Sequence, residues 1–200
     1  MRHQRERLVA SLVDVLSEQG FEGTTVSLVG QHAAVSKSDF YRHFVSKDEC
    51  FLAAYEESVA AVRERVVKAC EAEQEWALGV YAGLDALLSY FADEPARAQL
   101  IWVEGLRAGR EVCGQFQDAV QGYVPLLGHG APPLAGAGTA TQLSSEVIDE
   151  AVAGGVASLL GRQVLAGRTS QLKELLPDIA EFALSPYLGV AEARRIISQQ

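Results

Sequence analysis

The sequence predicts an all-α fold, with a three-helix unit of helix-turn-helix form at the N-terminus followed by a larger helical domain. Three observations predict it. Apolar residues recur three and four apart, the spacing of one helix face. Two Ser-x-x-acid boxes, Ser36 with Asp39 and Ser46 with Glu49, mark helix starts. Glycine and proline fall where the apolar stripes break, at Gly20, at Pro95 and through residues 128–141.

Residues 2–19 form the first expected helix, with Leu8, Leu12, Val15 and Leu16 on one face and Gly20 at its stop. Thr25 caps a second, residues 26–33, whose stripe is Val26, Val29 and Ala33. Ala34 and Val35 connect it to a third, capped by Ser36, with Phe40 and Phe44 four apart as the buried pair. A capped helix of about two turns, a tight bend and a second capped helix is the sequence form of a helix-turn-helix. Placing Phe40 and Phe44 inward turns Ser38, Asp39, Tyr41 and Arg42 outward, with Lys37 and His43 on the flanks. Hydroxyls, a cation and a phenol on one exposed face suit DNA.

Ser46 caps a long helix over residues 47–72 that packs Cys50, Phe51, Ala54 and Tyr55 on the first three helices. The same stripe continues outward through Val59, Val62, Val66 and Ala69, so one rigid helix joins two domains, 1–50 and 51–200. Helices are expected next at 75–92, 95–107 and 109–127, with large apolar and aromatic residues concentrated among them. Residues 128–141, GHGAPPLAGAGTAT, have the composition of a mobile loop and break the Gly-rich phosphate-binding pattern. The helix over 144–166 carries a stripe of small residues, Ala151, Gly154, Gly155, Ser158 and Gly161, beside a larger apolar one. Interior glycines cost about 1 kcal/mol each, and close approach of another helix is the usual compensation. With the apolar helix at 172–184 it forms an expected dimerising pair, joining a homodimer through residues 144–185.

The chain has 200 residues, 48% of them hydrophobic and 22% charged, which is ordinary for a globular protein. Cys50, Cys70 and Cys113 are too few and too scattered for a disulfide framework or a paired-cysteine metal site. The basic start, MRHQRERLV, is interrupted by Asp14 and Glu18, so neither a signal peptide nor a membrane span is expected and the location is cytoplasmic. A net charge of −9 weighs against a nucleic-acid partner until its distribution is considered. Residues 51–200 hold 11 basic and 19 acidic side chains, while residues 1–50 hold 6 and 7, and residues 24–47 alone are +2.

The run TTVSLVGQHAAVSKSDFYRHF at 24–44, with Ser46 and Lys47 after it, closely resembles the DNA-binding domain of the TetR family of transcriptional repressors. The likeness is dense over residues 8–55, and weaker through the ending S-P-Y-L-G-V-A-E-A. It departs at Gly30, where the family usually has Ala, and at Ala34, where it usually has the turn Gly; neither touches the outward face. The resemblance implies a regulator of double-stranded operator DNA, most simply a repressor released by a small molecule. The candidate DNA-contacting set is Thr25, Ser36, Lys37, Ser38, Tyr41, Arg42, His43 and Lys47, with Lys47 placed by the resemblance on a phosphate at a helix N-terminus. Arg2, Arg5 and Arg7 are weaker phosphate candidates. The resemblance also implies an effector pocket between helices. Its candidate lining is Leu88, Phe91, Trp102, Leu106, Phe116 and Tyr123, with Glu104, Arg107, Gln117 and Gln121 nearby, and a largely apolar effector is expected.

Competing readings have less behind them. His3, His32, His43 and His129 fall at no spacing that suggests a nucleophile, base and orienter, and no metal-ligand set is apparent, so neither an enzyme, a metal nor a cofactor is expected. A dimeric helical adaptor or ligand-binding protein without DNA binding would explain the acidic C-terminal part but would leave the Lys37, Ser38, Tyr41, Arg42 face without a purpose.

Overall fold

The computed structural model describes residues 2–105, 110–135 and 144–200, and those residues are helical with no strand among them. Helix α1, Arg2–Gly23, buries Leu8, Leu12, Val15 and Leu16 on the expected face. The expected stop at Gly20 is a bend, after which a further helical turn runs to Gly23. Gly20 takes φ 67° and ψ 173°, a conformation essentially confined to glycine. The bend is held from outside the helix, which is why helical spacing alone does not reveal the extra turn. The Thr24 N–H and hydroxyl both donate to the Gly20 carbonyl, at 3.1 and 2.7 Å, and the Phe21 N–H donates to Glu104 Oε2 at 3.2 Å.

Helices α2, Val26–Ala33, and α3, Lys37–His43, have the expected caps, and Phe44 follows α3 in extended backbone rather than as its last helical residue. Helix α4, Lys47–Glu71, buries Cys50, Phe51, Ala54 and Tyr55 in its first half and Val62 and Val66 in its second. It packs against both α1 and α5, Trp76–Asp93, so the core runs without a break from the N-terminal unit into the rest of the chain.

The expected helix over 95–107 begins as α6, Pro95–Gln99, and widens into a π-helical turn, Leu100–Glu104. The wider turn buries Leu100, Ile101, Trp102 and Glu104 together, four of its five side chains, which no single face of a regular helix would do. The helix expected over 109–127 is two: α7, Arg110–Gln121, and α8, Val124–Gly128. Pro125, which has no N–H to continue a helix, opens the second. Of the loop expected over 128–141, residues 136–141 lie outside the described residues, as do 142 and 143 after it. In its described part the Ala135 N–H donates to the Pro186 carbonyl at 2.9 Å.

Helix α9 spans Ser145–Leu165, a 3₁₀ segment Thr169–Leu175 follows, and α10 spans Leu176–Leu188. The ending is more ordered than composition suggests. Pro186 sits inside α10, Gly189 turns the chain at φ 77°, and a last helix, α11, Val190–Ile197, packs back on α10. Arg194 forks onto Glu181 at 2.8 and 2.9 Å to fix it there.

Candidate functional site

The outward face of α3 is built by burying the other one. Phe40 is fully buried and Phe44 nearly so, and Ser36, Lys37, Ser38, Tyr41 and Arg42 are all exposed. Thr25 is exposed at the start of α2, where its Oγ1 accepts the Leu28 N–H at 3.2 Å. Ser36 Oγ accepts the Asp39 N–H at 3.0 Å. The Asp39 carboxylate does not reach back to the backbone as a capping box would have it. One oxygen accepts the Ser36 hydroxyl at 2.6 Å, and the other takes Arg42 Nη1 at 2.9 Å. Arg42 therefore stands on the reading face with its guanidinium already oriented, in an exposed pair worth at most about 1 kcal/mol that a stronger acceptor would displace. His43 is half-buried, its Nε2 3.5 Å from Gln4 Oε1, and so turns toward α1 rather than outward.

The bend between α2 and α3 holds both departures from the family pattern. Ala34 adopts φ 50° and ψ 47°, the left-handed conformation usually left to glycine. The tightened turn brings the Val35 carbonyl so close that a Cβ at Gly30 would lie 2.7 Å from its oxygen, and the Val35 N–H closes on the Gly30 carbonyl at 2.8 Å. Positions 30 and 34 thus belong to one turn, and the close approach of the Val35 carbonyl accounts for the glycine at 30. Arg7 locks it by donating to the carbonyls of Ala33 and Ala34, each at 3.0 Å, and Arg5 pairs with Glu57 beside the Phe44 ring. These two arginines hold the helices together, a role in the fold that needs no phosphate.

Lys47 starts α4, and its ammonium points back into the protein. It donates to the carbonyls of Phe21 and Thr24 at 2.7 and 3.0 Å and lies 3.9 Å from the centre of the Phe21 ring. A lysine ammonium has three N–H donors, so one is left after these two bonds.

A second feature lies between α4, α5, the π turn, α7, α8 and α9: an apolar cavity of about 100 Å³, partly open to solvent. Phe91, Trp102, Phe116 and Tyr123 line it as expected. Leu88 is fully buried and not part of its wall, and Leu106 lies outside the described residues. Gln117 and Gln121 are exposed instead of lining it, and Glu104 is buried but turned to α1. The expectation missed two walls, Val59, Val62 and Val66 from α4 and Val152, Val156 and Leu160 from α9. The signal was present in α9. Gly161 of its small-residue stripe lies against Trp102, where a Cβ would be 3.1 Å from Cε3, and Gly155 lies against Phe182 of the same chain at 3.0 Å. Part of the compensation for these glycines is therefore intramolecular. Burial pushes the Cys70 thiol above its usual range and the Tyr123 phenol up to about 12, so both wall residues are uncharged at neutral pH.

Residues 8–54 match the family model described as bacterial regulatory proteins, tetR family. Over these residues the chain resembles the TetR family, and the match covers 47 of its 200 residues. It is 32% identical over 56 residues to the uncharacterized HTH-type transcriptional regulator YerO of Bacillus subtilis, which is 28% of this chain and 19% of that protein. It is 31% identical over 71 residues to the HTH-type transcriptional regulator TcmR of Streptomyces glaucescens, 36% of this chain and 30% of that protein. These matches thus span less than a third of either curated relative. The whole fold is shared with the fatty acid degradation regulator FadR from Bacillus halodurans, at TM-score 0.77 and 16% identity over 90% of this chain and 94% of that one. FadR from Bacillus subtilis in complex with stearoyl-CoA aligns at TM-score 0.75 and 16% identity, covering 90% and 98% of the two chains. At such identity the likeness is one of fold.

Among the described residues no helix is long and apolar enough to cross a membrane, and no group of His, Cys, Asp and Glu is placed to hold a metal ion. The TetR-type reading unit and an internal apolar cavity are the two features the fold brings out, and α4 belongs to both.

Proposed function

We propose that this protein is a ligand-responsive transcriptional regulator, a repressor that leaves its operator when a small, largely apolar molecule enters the cavity. The observation that carries the reading is the outward face of α3. Lys37, Ser38, Tyr41 and Arg42 stand exposed together on a helix whose opposite face is locked by Phe40 and Phe44. Arg42 and Tyr41 are the base-reading candidates, and Thr25, Ser36, Lys37, Ser38 and His43 border them. Lys47 would reach phosphate only with its remaining N–H, by way of the α4 N-terminus. A domain boundary near residue 50 separates reading from sensing.

The effector class follows from a wall of valine, leucine and aromatic side chains, and a long apolar group such as the acyl chain of the molecule bound by Bacillus subtilis FadR suits such a wall. Two attachments support coupling. Helix α4 carries wall residues Val59, Val62 and Val66 in the same rigid element that begins at Lys47. The π turn carries Trp102 in the wall and, two residues on, Glu104 on the Phe21 N–H.

The protein acts as a homodimer through residues 144–185. Val147 and Leu165 of α9 are 49% and 62% exposed, Phe182 of α10 is 45% exposed, and Gly154 has open space over it. The cell compartment is the cytoplasm, where the operator is. A mobility shift on the DNA flanking the gene, with and without apolar effectors, tests the reading. A retarded complex that such a molecule releases supports it; no retardation on any flanking DNA overturns it.

A further inference from the structure

The reading face carries a carboxylate, where a phosphate-binding surface gains nothing from one. Asp39 lies half-buried in the first turn of α3, beside the exposed Ser36, Ser38 and Arg42. A negative charge there opposes the cations that displace counterions from DNA. Its partners suggest what it does instead. Asp39 Oδ2 accepts the Ser36 hydroxyl at 2.6 Å, the Ser36 and Ser38 hydroxyl oxygens are 2.9 Å apart, and Asp39 Oδ1 accepts Arg42 Nη1 at 2.9 Å. One network thus runs along the face from Ser38 to Arg42.

The network leaves Arg42 its most useful edge. The Arg42 side chain is 70% exposed, and its Nε and Nη2 donors, side by side on the fork, have no partner among the described residues. Two parallel N–H groups are what the O6 and N7 of guanine accept in the major groove. Guanine can therefore be bound while Asp39 still holds the guanidinium, and an arginine already held costs less to order on binding. A phosphate, which attracts the arginine by charge, meets a neutralised pair and must break it. We propose that Asp39 is a positioning residue for DNA reading: it holds Arg42 for the edge of a guanine and lowers its attraction for phosphate, so that the operator has a guanine facing Arg42. This rests on α3 being the reading helix, and it adds the base to be read and a role for a side chain that the reading leaves unused.

The test starts from a random duplex library, from which the full-length wild type enriches its preferred sequences. Base preference at each position is then measured by competition for wild type, Asp39→Asn, Arg42→Ala and the double variant. Asparagine keeps the size and an acceptor for the Ser36 hydroxyl and removes the charge. Asp39→Ser removes it in a second way and goes through the same measurements, and thermal melting confirms that each variant is folded. One position is expected to prefer guanine by at least about fivefold in wild type and to lose that preference in Arg42→Ala. Asp39→Asn should lower the same preference by about two- to fivefold, the contribution of an exposed ion pair, and leave other positions as they are. It should also bind unselected duplex more tightly, with a salt slope steeper by about one as Arg42 turns to phosphate. In the Arg42→Ala background the same substitution should leave base preference unchanged. A variant that gains affinity for every sequence by one factor and keeps its guanine preference would show Asp39 to be a plain repulsive charge and overturn the proposal. A wild-type motif in which no position depends on Arg42 would overturn it too, as would a salt slope that falls by about one in Arg42→Ala, the mark of an arginine on phosphate. Enrichment of no sequence by the wild type would overturn DNA reading itself, which separates that failure from the others.

Discussion

Lys47 offers the sharpest separation between a residue that holds the reading unit and one that touches DNA. In the structure its ammonium donates to the carbonyls of Phe21 and Thr24 at 2.7 and 3.0 Å and sits 3.9 Å from the Phe21 ring centre, closing the turn that follows the Gly20 bend. A hydrogen bond from a charged donor contributes about 1.5–3 kcal/mol and an exposed cation–π contact about 0.5–1 kcal/mol. Because Lys47 is half-exposed, the lower ends apply. Lys47→Met, which keeps the stem and the helix propensity, is therefore expected to cost roughly 2–4 kcal/mol of stability. Urea unfolding at one fixed protein concentration reads this, and anisotropy of a labelled operator across a salt series reads the phosphate role separately. If the third N–H reaches a phosphate, the slope of log affinity against log salt also falls by about one. Lys37→Met, on the exposed face, is the control, with stability expected within about 0.5 kcal/mol of wild type. A Lys47→Met protein as stable as wild type would refute the capping argument and leave Lys47 as a plain surface cation.

Other outcomes follow from the same geometry. Arg42→Ala should relax base preference at one operator position and weaken specific binding by about 1–3 kcal/mol, read by competition between operator variants. Gly30→Ala should destabilise in spite of its gain in helix propensity, because the new Cβ would meet the Val35 carbonyl oxygen at 2.7 Å, and a higher melting temperature would contradict the close approach. Ala34→Gly, relieving a φ of 50°, should stabilise by about 0.5–1 kcal/mol once the greater freedom of the unfolded glycine is subtracted. Gly154→Glu puts a charge where nothing of the same chain lies within 4 Å of the Cβ. If it yields a folded monomer in sedimentation the α9 interface stands, and an unchanged dimer shows the contact lies elsewhere.

The elements that could be read from the sequence are those whose causes are local. Thr25, Ser36 and Ser46 cap the helices they were expected to cap because the acceptor and its N–H are three residues apart in the chain. The reading face was legible for the same reason, since burial of Phe40 and Phe44 fixes where Tyr41 and Arg42 go. The family pattern added what spacing does not contain, the expectation of an operator and of an effector pocket. What escaped depends on residues far apart in sequence. The turn after Gly20 is held by Glu104 and Lys47, 83 and 26 residues from Phe21. Arg5 and Arg7 could not be told from solvated cations until Glu57 and the Ala33 and Ala34 carbonyls came beside them. The glycines of α9 spoke of close approach, but a stripe does not say which helix approaches, and two of the neighbours are Trp102 and Phe182 of the same chain.

The π turn gives the coupling a testable form. Trp102 and Glu104 are held in one five-residue turn, so a ligand that displaces the indole must strain the bond from the Phe21 N–H to Glu104, 3.2 Å long in this structure. If that bond belongs to the DNA-competent shape alone, its loss in the other shape supplies part of the coupling. A hundredfold release needs about 2.7 kcal/mol, and a charge-assisted bond contributes about 1.5–3 kcal/mol. Glu104→Gln keeps the size and an acceptor but not the charge, and so weakens the bond by about 1 kcal/mol, a shift of about fivefold between the two shapes. Linkage then fixes opposite signs: operator binding weakens by up to fivefold, and binding of an apolar effector that releases the operator tightens by up to fivefold. Phe21 is off the outward face of α3, so loss of a DNA contact does not produce that pair of changes, and loss of stability alone does not tighten a ligand. Calorimetry with that effector and anisotropy with the operator, on the same preparation, measure both. Effector affinity that is unchanged or weaker in Glu104→Gln would remove the π turn from the path and leave α4 as the carrier.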